Sequence, residues 1–224
     1  MQARYVPKFD PEAAAEPGSS LWSKVRSEAV PLMATPIGLQ PNATIQVSWM
    51  PPKTIGATTG VEVSAVHDGQ TLAFRLLWKD ASENREIGDT TAFPDACGIL
   101  LPSVTGAIVS TMGAPGLPVN AWYWRADEDG AGRQVVAEGL GTTRPVDDEL
   151  VRGHGAWKEG RWQVVIARPM RIQSTEPVAQ LEAGQTTGFA VAVWEGSNSE
   201  RAGIKAFSGE WRELSLEAMP TARR

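Results

Sequence analysis

Two alternating runs joined by an Asp-Gly turn constrain this chain more than any other feature. Val61, Val63 and Ala65 alternate with Glu62 and Ser64. His67-Asp68-Gly69-Gln70 breaks the run, and Leu72, Phe74, Leu76 and Trp78 then alternate with Ala73, Arg75 and Lys79. Side chains leave the two faces of a strand in turn, so a period of two gives one face to a core. Asp-Gly between two such runs is a strong hairpin signal. The same period continues downstream and predicts strands at Ala96–Leu101, Ile108–Thr111 and Val119–Arg125. Trp157-Lys158-Glu159-Gly160-Arg161-Trp162 reads as another tight hairpin turn, feeding Trp162, Val164 and Ile166 on one face. Phe189, Val191 and Val193 repeat the pattern, and Trp211, Leu214 and Leu216 close it less regularly. Nothing sustains a 3.6-residue period, so the expected fold is all-β: an antiparallel β-sandwich of roughly eight to eleven strands.

The chain has 224 residues, enough for a core without covalent staples. Residues 1–43 are rich in Pro and Ala and show little periodicity. They read as an extended N-terminal arm, with at most a short helix near Leu21 to Ala29, either disordered or laid across a partner. Residues 44–224 form the second expected unit, a single sandwich domain. Two polar, glycine-containing stretches, Lys79–Pro94 and Leu140–Ala156, read as long loops of the kind that often carry function.

Composition removes several functional classes. Lys and Arg total 21 against 26 Asp and Glu, giving a net charge of -5 with no basic block, so no nucleic-acid partner is expected. A single cysteine, Cys97, rules out an intrachain disulfide, a four-thiolate zinc site, a cysteine-held iron–sulfur cluster and a C-x-x-C-H haem attachment. Its apolar run, Ala96-Cys97-Gly98-Ile99-Leu100-Leu101, suits a small buried hydrophobe. The longest weakly polar region, from Cys97 to Val109, is interrupted by Pro102 and too short for a membrane span. No apolar signal core is visible near Met1, which leaves a cytoplasmic chain or a processed one. Asp147-Asp148-Glu149 reads as a solvated acidic face. No catalytic triad and no phosphate-binding glycine spacing is present, so a free-standing enzyme is not expected.

One segment departs from this bland background. Ser110-Thr111-Met112-Gly113-Ala114-Pro115-Gly116-Leu117-Pro118 sets a methionine among glycines and prolines, just before Val119-Asn120-Ala121-Trp122-Tyr123-Trp124. A Met that only packs would sit within an apolar run. A thioether fixed in a tight turn can instead bind a soft metal centre such as haem iron.

In order along the chain stand Leu76-Leu77-Trp78-Lys79-Asp80, Phe93-Pro94-Asp95-Ala96, Met112-Gly113 and Asn120-Ala121-Trp122-Tyr123-Trp124. Val193-Trp194-Glu195-Gly196-Ser197-Asn198-Ser199-Glu200-Arg201 follows, then Lys205 before Ser208. Over roughly residues 44 to 217 this resembles the haem b-binding γ subunit of ethylbenzene dehydrogenase and its relatives in dimethylsulfide dehydrogenase, selenate reductase, chlorate reductase and steroid C25 dehydrogenase. The resemblance implies a sandwich similar to family-9 carbohydrate-binding modules and DOMON-like cytochrome domains. It implies one non-covalent, six-coordinate haem b with a Met thioether and a Lys amine as ligands. It also implies a periplasmic, non-catalytic place beside a molybdenum subunit and an iron–sulfur subunit, relaying electrons to or from a carrier such as a c-type cytochrome. Met112 matches the Met ligand and Lys205 best matches the Lys. Lys158 in its hairpin turn, His67 beside the Asp-Gly turn and His154 in Arg152-Gly153-His154-Gly155 are the alternatives for the second ligand. Lys53 and Lys79 read as surface charges.

A porphyrin needs apolar faces and donors for its propionates. Trp122 and Trp124 share one face of their strand, and Tyr123 takes the other. Either one set floors a pocket or all three aromatics build the core. Asn120, Arg125 and Arg201 flank the two ligand segments. The rival reading is a carbohydrate-binding module without metal, whose exposed rings would stack on sugars; a third is an architectural subunit that holds no cofactor.

Overall fold

In the computed structural model, residues 1–16, 18–36, 38, 55–88, 92–146 and 149–220 are described. Lys53, Asp147, Asp148 and the expected boundary at residue 44 lie outside them. The strands in chain order are β1 (Gln2–Tyr5), β2 (Glu28–Pro31), β3 (Met33–Ala34), β4 (Gly60–His67), β5 (Thr71–Lys79), β6 (Ala96–Pro102) and β7 (Val119–Arg125). Then come β8 (Arg133–Ala137), β9 (Arg144–Val146), β10 (Arg152–Lys158), β11 (Arg161–Pro169), β12 (Thr186–Trp194), β13 (Ala206–Phe207) and β14 (Arg212–Leu216). Among the described residues one five-residue helix, α1 (Pro11–Ala15), and short 3-10 turns complete the regular structure. No helix among the described residues is long and apolar enough to cross a membrane.

The strands follow one hydrogen-bonded path, β10-β11-β5-β4-β1-β14-β12-β6-β7-β8-β9. It closes into a sandwich because β12 serves both halves. Thr186–Phe189 pair with β14, and Ala190–Trp194 pair with β6. All these pairings are antiparallel except those of β1, which lies parallel to both β4 and β14. The core lies between the halves. Phe74 of β5 meets Trp122 of β7 edge-on with ring centres 6.0 Å apart, and Trp124 of β7 meets Trp162 of β11 at 5.1 Å. The alternating sets read from sequence, Val61-Val63-Ala65 and Leu72-Phe74-Leu76-Trp78, are all buried there. Apolar area removed from water holds the halves together at about 25 cal/mol per Å².

Several expectations are corrected. The N-terminal segment is no free arm. β1 is inserted between β4 and β14, and β2 pairs with β4. The outward face of β4, β5 and β11 carries Val66, Ala73, Val165 and Ala167, which water would otherwise meet. Ala14, Ala15, Trp22 and Val25 cover them in a second, smaller core. Trp22 donates its Nε1–H to the Ala14 carbonyl at 2.7 Å, and the Arg75 guanidinium sits 5.0 Å above its ring. The helix expected near Leu21 to Ala29 is a 3-10 turn at Ser20–Lys24 followed by β2.

Ile108–Thr111 is not a strand. The Met112 amide donates to the Val109 carbonyl at 2.9 Å and the Gly113 amide to that of Ile108 at 2.7 Å, so this backbone is satisfied within a turn. The expected loop Leu140–Ala156 contains β9 and most of β10. Gly153 and Gly155 there serve packing. A Cβ at Gly153 would lie 2.6 Å from Trp124 and one at Gly155 2.2 Å from it, so only glycine admits the indole. His67, at the first position of the Asp-Gly turn, is fully buried with Tyr5 edge-on to its ring at 5.7 Å.

Candidate functional site

The outward face of β12, β6, β7 and β8 is unusual for a surface. Outward positions of exposed strands normally carry polar side chains. Here β12 offers Ala190, Ala192 and Trp194, β6 offers Ala96, Gly98 and Leu100, and β7 offers Ala121, Tyr123 and Arg125. Register aligns Ala192, Gly98 and Tyr123 across three strands, and Ala190, Leu100, Ala121 and Val135 across four. Small side chains in line leave a shallow trough. Four segments rise around it: Ile87 with Phe93 and Pro94, Val109 to Met112, Leu140 to Thr143, and Glu200 to Phe207. They enclose about 690 Å³, within the range of small-molecule and cofactor sites, and the lining is mostly apolar.

Met112 stands on the β6–β7 connection with φ 54°, a left-handed conformation that a side chain adopts only when its surroundings hold it. The next residue must be glycine. A Cβ at Gly113 would lie 2.7 Å from the Leu117 carbonyl and 2.8 Å from that of Ala137. The Met112 carbonyl accepts from the Gly139 amide at 3.0 Å, and the Thr111 hydroxyl closes the turn onto the Gly113 carbonyl at 2.8 Å. These bonds tie the thioether's backbone to the end of β8.

Lys205 enters from a different margin, just before β13. Its carbonyl accepts both the amide and the hydroxyl of Thr35, at 3.0 and 2.8 Å. Its amine lies 5.4 Å from the centre of the Trp194 ring, and that indole is fixed by donating to the Ala202 carbonyl at 3.0 Å. Among the described residues no carboxylate pairs with the amine. Burial without a counter-charge pushes its pKa down to about 8.

Met112 and Lys205, expected as a pair, therefore line one cavity. Asn120, Trp122 and Trp124 do not. They occupy the opposite face of β7 and are fully buried in the core. Trp122 donates to the Asn120 Oδ1 at 3.0 Å, and Asn120 accepts from Arg168 at 3.1 Å, with the Arg168 guanidinium 4.4 Å over the Trp122 ring. Of the two readings for the tryptophans, Trp122 and Trp124 take the core, because the larger apolar set of an alternating strand goes there, and Asn120, expected beside the cofactor, goes with them. The floor belongs to Ala121, Tyr123 and Arg125.

Arg125 and Arg201 both line the cavity. Arg125 forms a bidentate pair with Asp127 at 3.0 and 2.7 Å, and Arg201 lies 4.4 Å over the Phe93 ring. Of the alternative ligands, His67 lies in the core, His154 on β10 away from the cavity, and Lys158 is exposed in its hairpin turn beside Glu159. The missed signal was the run of outward Ala and Gly positions on three strands, where a solvated face would be polar.

The fold places the chain among sandwiches similar to family-9 carbohydrate-binding modules. Such a module from Caldicellulosiruptor kristjanssonii in complex with glucose superposes with a TM-score of 0.54 at 12% identity, covering 98% of this chain and 96% of the other. The same kind of module in complex with cellotriose gives 0.51 at 11% identity, covering 98% and 94%. Sequence goes further. Residues 19–150 and 141–206 match the ethylbenzene dehydrogenase family, and the chain belongs to it. It is 33% identical over 204 residues to the chlorate reductase γ subunit of Ideonella dechloratans, covering 90% of this chain and 79% of that one. It is 34% identical to a candidate haem subunit of a respiratory nitrate reductase from Haloferax mediterranei, covering 88% and 66%. Against the dimethylsulfide dehydrogenase γ subunit of Rhodovulum sulfidophilum, identity is 28% over 61% of this chain and 53% of the relative.

Proposed function

We propose that this chain is the electron-transfer subunit of a molybdenum-dependent oxidoreductase complex and holds one non-covalent haem b. The observation that carries this reading is the convergence of a thioether and an unpaired amine on one apolar cavity with a flat floor of small residues. Met112 and Lys205 would hold the iron. Ala192, Gly98 and Ala121 would leave room for a planar macrocycle, and Arg125 and Arg201 would meet its propionates. The haem supplies one-electron redox chemistry.

The residues prepare the site for that chemistry. An amine binds metal only through a free electron pair, so Lys205 must shed its proton. Burial already lowers that cost by bringing its pKa to about 8. The thioether is a soft, weak donor that favours the reduced metal and raises its potential. With Met112 and Lys205 both donating to the iron, the chain would leave no open position for substrate or oxygen, which suits a relay that performs no catalysis. The γ subunits of chlorate reductase and dimethylsulfide dehydrogenase support membership of a multi-subunit complex. In this reading the partners are a molybdenum subunit, an iron–sulfur subunit and an external carrier such as a c-type cytochrome, and the complex lies in the periplasm.

The sandwich neighbours bound to glucose and cellotriose raise a sugar-binding alternative. It needs exposed aromatic platforms. Among the described residues no Trp is exposed: Trp22, Trp78, Trp122, Trp124 and Trp162 are buried, and Trp157, Trp194 and Trp211 are partly buried. A reduced-minus-oxidised spectrum of the protein purified from haem-replete cells, with a pyridine haemochrome assay, tests the proposal. A low-spin b-type spectrum is expected. Met112→Ala and Lys205→Ala should each convert it to high-spin or lose the haem while the fold persists. An unchanged spectrum in either variant removes that residue as a ligand, and a preparation that stays colourless with added hemin ends the proposal.

A further inference from the structure

Beneath one rim of the cavity three carboxylates meet that the haem reading does not use. Asp80 follows β5, Asp95 precedes β6 and Glu195 follows β12. All three are buried, and a ligand oxygen from each lies within 4.8 Å of the others. Asp95 is held by protein: it accepts from the Asn84 amide at 2.8 Å, the Trp162 indole at 2.9 Å and the Gly196 amide at 2.8 Å. Glu195 accepts from the Ser197 hydroxyl at 2.7 Å. Asp80 differs. It is 3% exposed, its Oδ1 accepts from the Ser82 amide at 3.0 Å, its Oδ2 has no hydrogen-bond donor among the described residues, and its carboxyl neighbours that of Glu195 and the Trp78 indole.

No cation among the described residues compensates this group. Among the described residues none of the three takes part in a salt bridge. Arg85, 4.9 Å over the Trp162 ring, is engaged instead by Glu83 and by the carbonyls of Ala126 and Gly155. Glu200 nearby adds another negative charge, accepting from the amides of Gly56, Ala57 and Glu195. Three unpaired buried carboxylates are untenable unless they bind protons or a cation. Three oxygens within 4.8 Å of one another are near enough to share one cation. Oxygens on opposite sides of a calcium ion lie about 4.6–5.2 Å apart, given metal–oxygen distances of 2.3–2.6 Å.

We infer that Asp80, Asp95 and Glu195 form a binding site for a hard divalent cation, calcium. The donors are all oxygen, as calcium requires. Bound there, the ion ties together the three chain segments that frame this side of the cavity. Gly196 shows how tight that junction is: a Cβ there would lie 2.1 Å from the Phe93 carbonyl. This site does not depend on what fills the cavity.

The competing occupant is a proton shared between Asp80 and Glu195. Burial lifts Asp95 to about 6 and Glu195 to about 7, and raises Asp80 as well. Without calcium these raised values make stability fall as pH climbs from about 4 to about 7. Calcium titration of the purified full chain by calorimetry, with melting in calcium or in EDTA at pH 8 and pH 5, separates the two. One calcium per chain is expected, with a melting point several degrees higher in calcium at pH 8 and little change at pH 5. Glu195→Gln and Asp80→Asn should each weaken binding more than about tenfold and remove the calcium response. Absence of binding at millimolar calcium, with Glu195→Gln melting at or above the parent at pH 8, would establish the shared proton and overturn the site.

Discussion

Lys205 is the residue where function and stability pull apart. A partly buried ammonium without a carboxylate partner costs folding free energy, and in the cofactor-free protein that cost persists below about pH 8. As pH rises from about 8 towards the ordinary lysine value, the folded form releases its proton first and stability recovers. Lys205→Met should therefore stabilise the cofactor-free chain at pH 7, by on the order of 1–2 kcal/mol after screening at the cavity mouth. The gain should shrink towards pH 10. Urea denaturation across that range measures it, and a pH-independent difference would mean that packing, not charge, sets the effect. Haem ligation is tested separately with Lys205→Ala, because methionine at this position would offer iron a second thioether. Met112 and Lys205 were legible in the sequence as candidate ligands. Which lysine reaches the cavity depended on a loop closed by Thr35, distant in sequence, and no local pattern encodes that contact.

Among the elements, β10 and β1 were the hardest to read. Arg152-Gly153-His154-Gly155 has the composition of a flexible loop, yet it pairs with β11 from Arg152 to Lys158. Its glycines are there because Trp124 lies against them. Gly155→Ala should destabilise the fold by about 1–3 kcal/mol, through overpacking against the indole, with no change in the cavity. Chemical denaturation measures the loss, and a neutral variant would show that β10 can shift outward cheaply. β1 gave no period because four residues are too few to display one, and its partners lie far along the chain. Removal of residues 1–31 takes away a strand from the middle of the sheet path and the cover over Val66, Ala73, Val165 and Ala167. The truncated chain should lose cooperative unfolding by circular dichroism. A cooperative melt would restore the view of this segment as an arm.

For the molecule as a whole, the two faces of one half-sheet carry separate tasks. The inward face, with Trp122, Trp124 and Ile99, makes the fold, and the outward face, with Ala192, Gly98 and Ala121, makes the cavity. Ala192→Phe should fill the trough and exclude the haem while the melting point stays within a few degrees of the parent. Trp122→Ala should cost about 3–5 kcal/mol and threaten folding itself. Haem content against melting temperature for the two variants would separate these tasks, and parallel losses in both would contradict the division.

The sequence alone determined the all-β class, the strands with a clear period of two, the turns at Asp68-Gly69 and Glu159-Gly160, and the sulfur ligand candidate at Met112. These are local properties, set by backbone sterics and by which side chains alternate. Tertiary structure decided which face of β7 lies inward, that the N-terminal residues join the sheet, and that Lys205 comes to the same cavity as Met112. Alternation states that two faces differ, but only the second half of the sandwich, packing against one of them, determines which becomes the core.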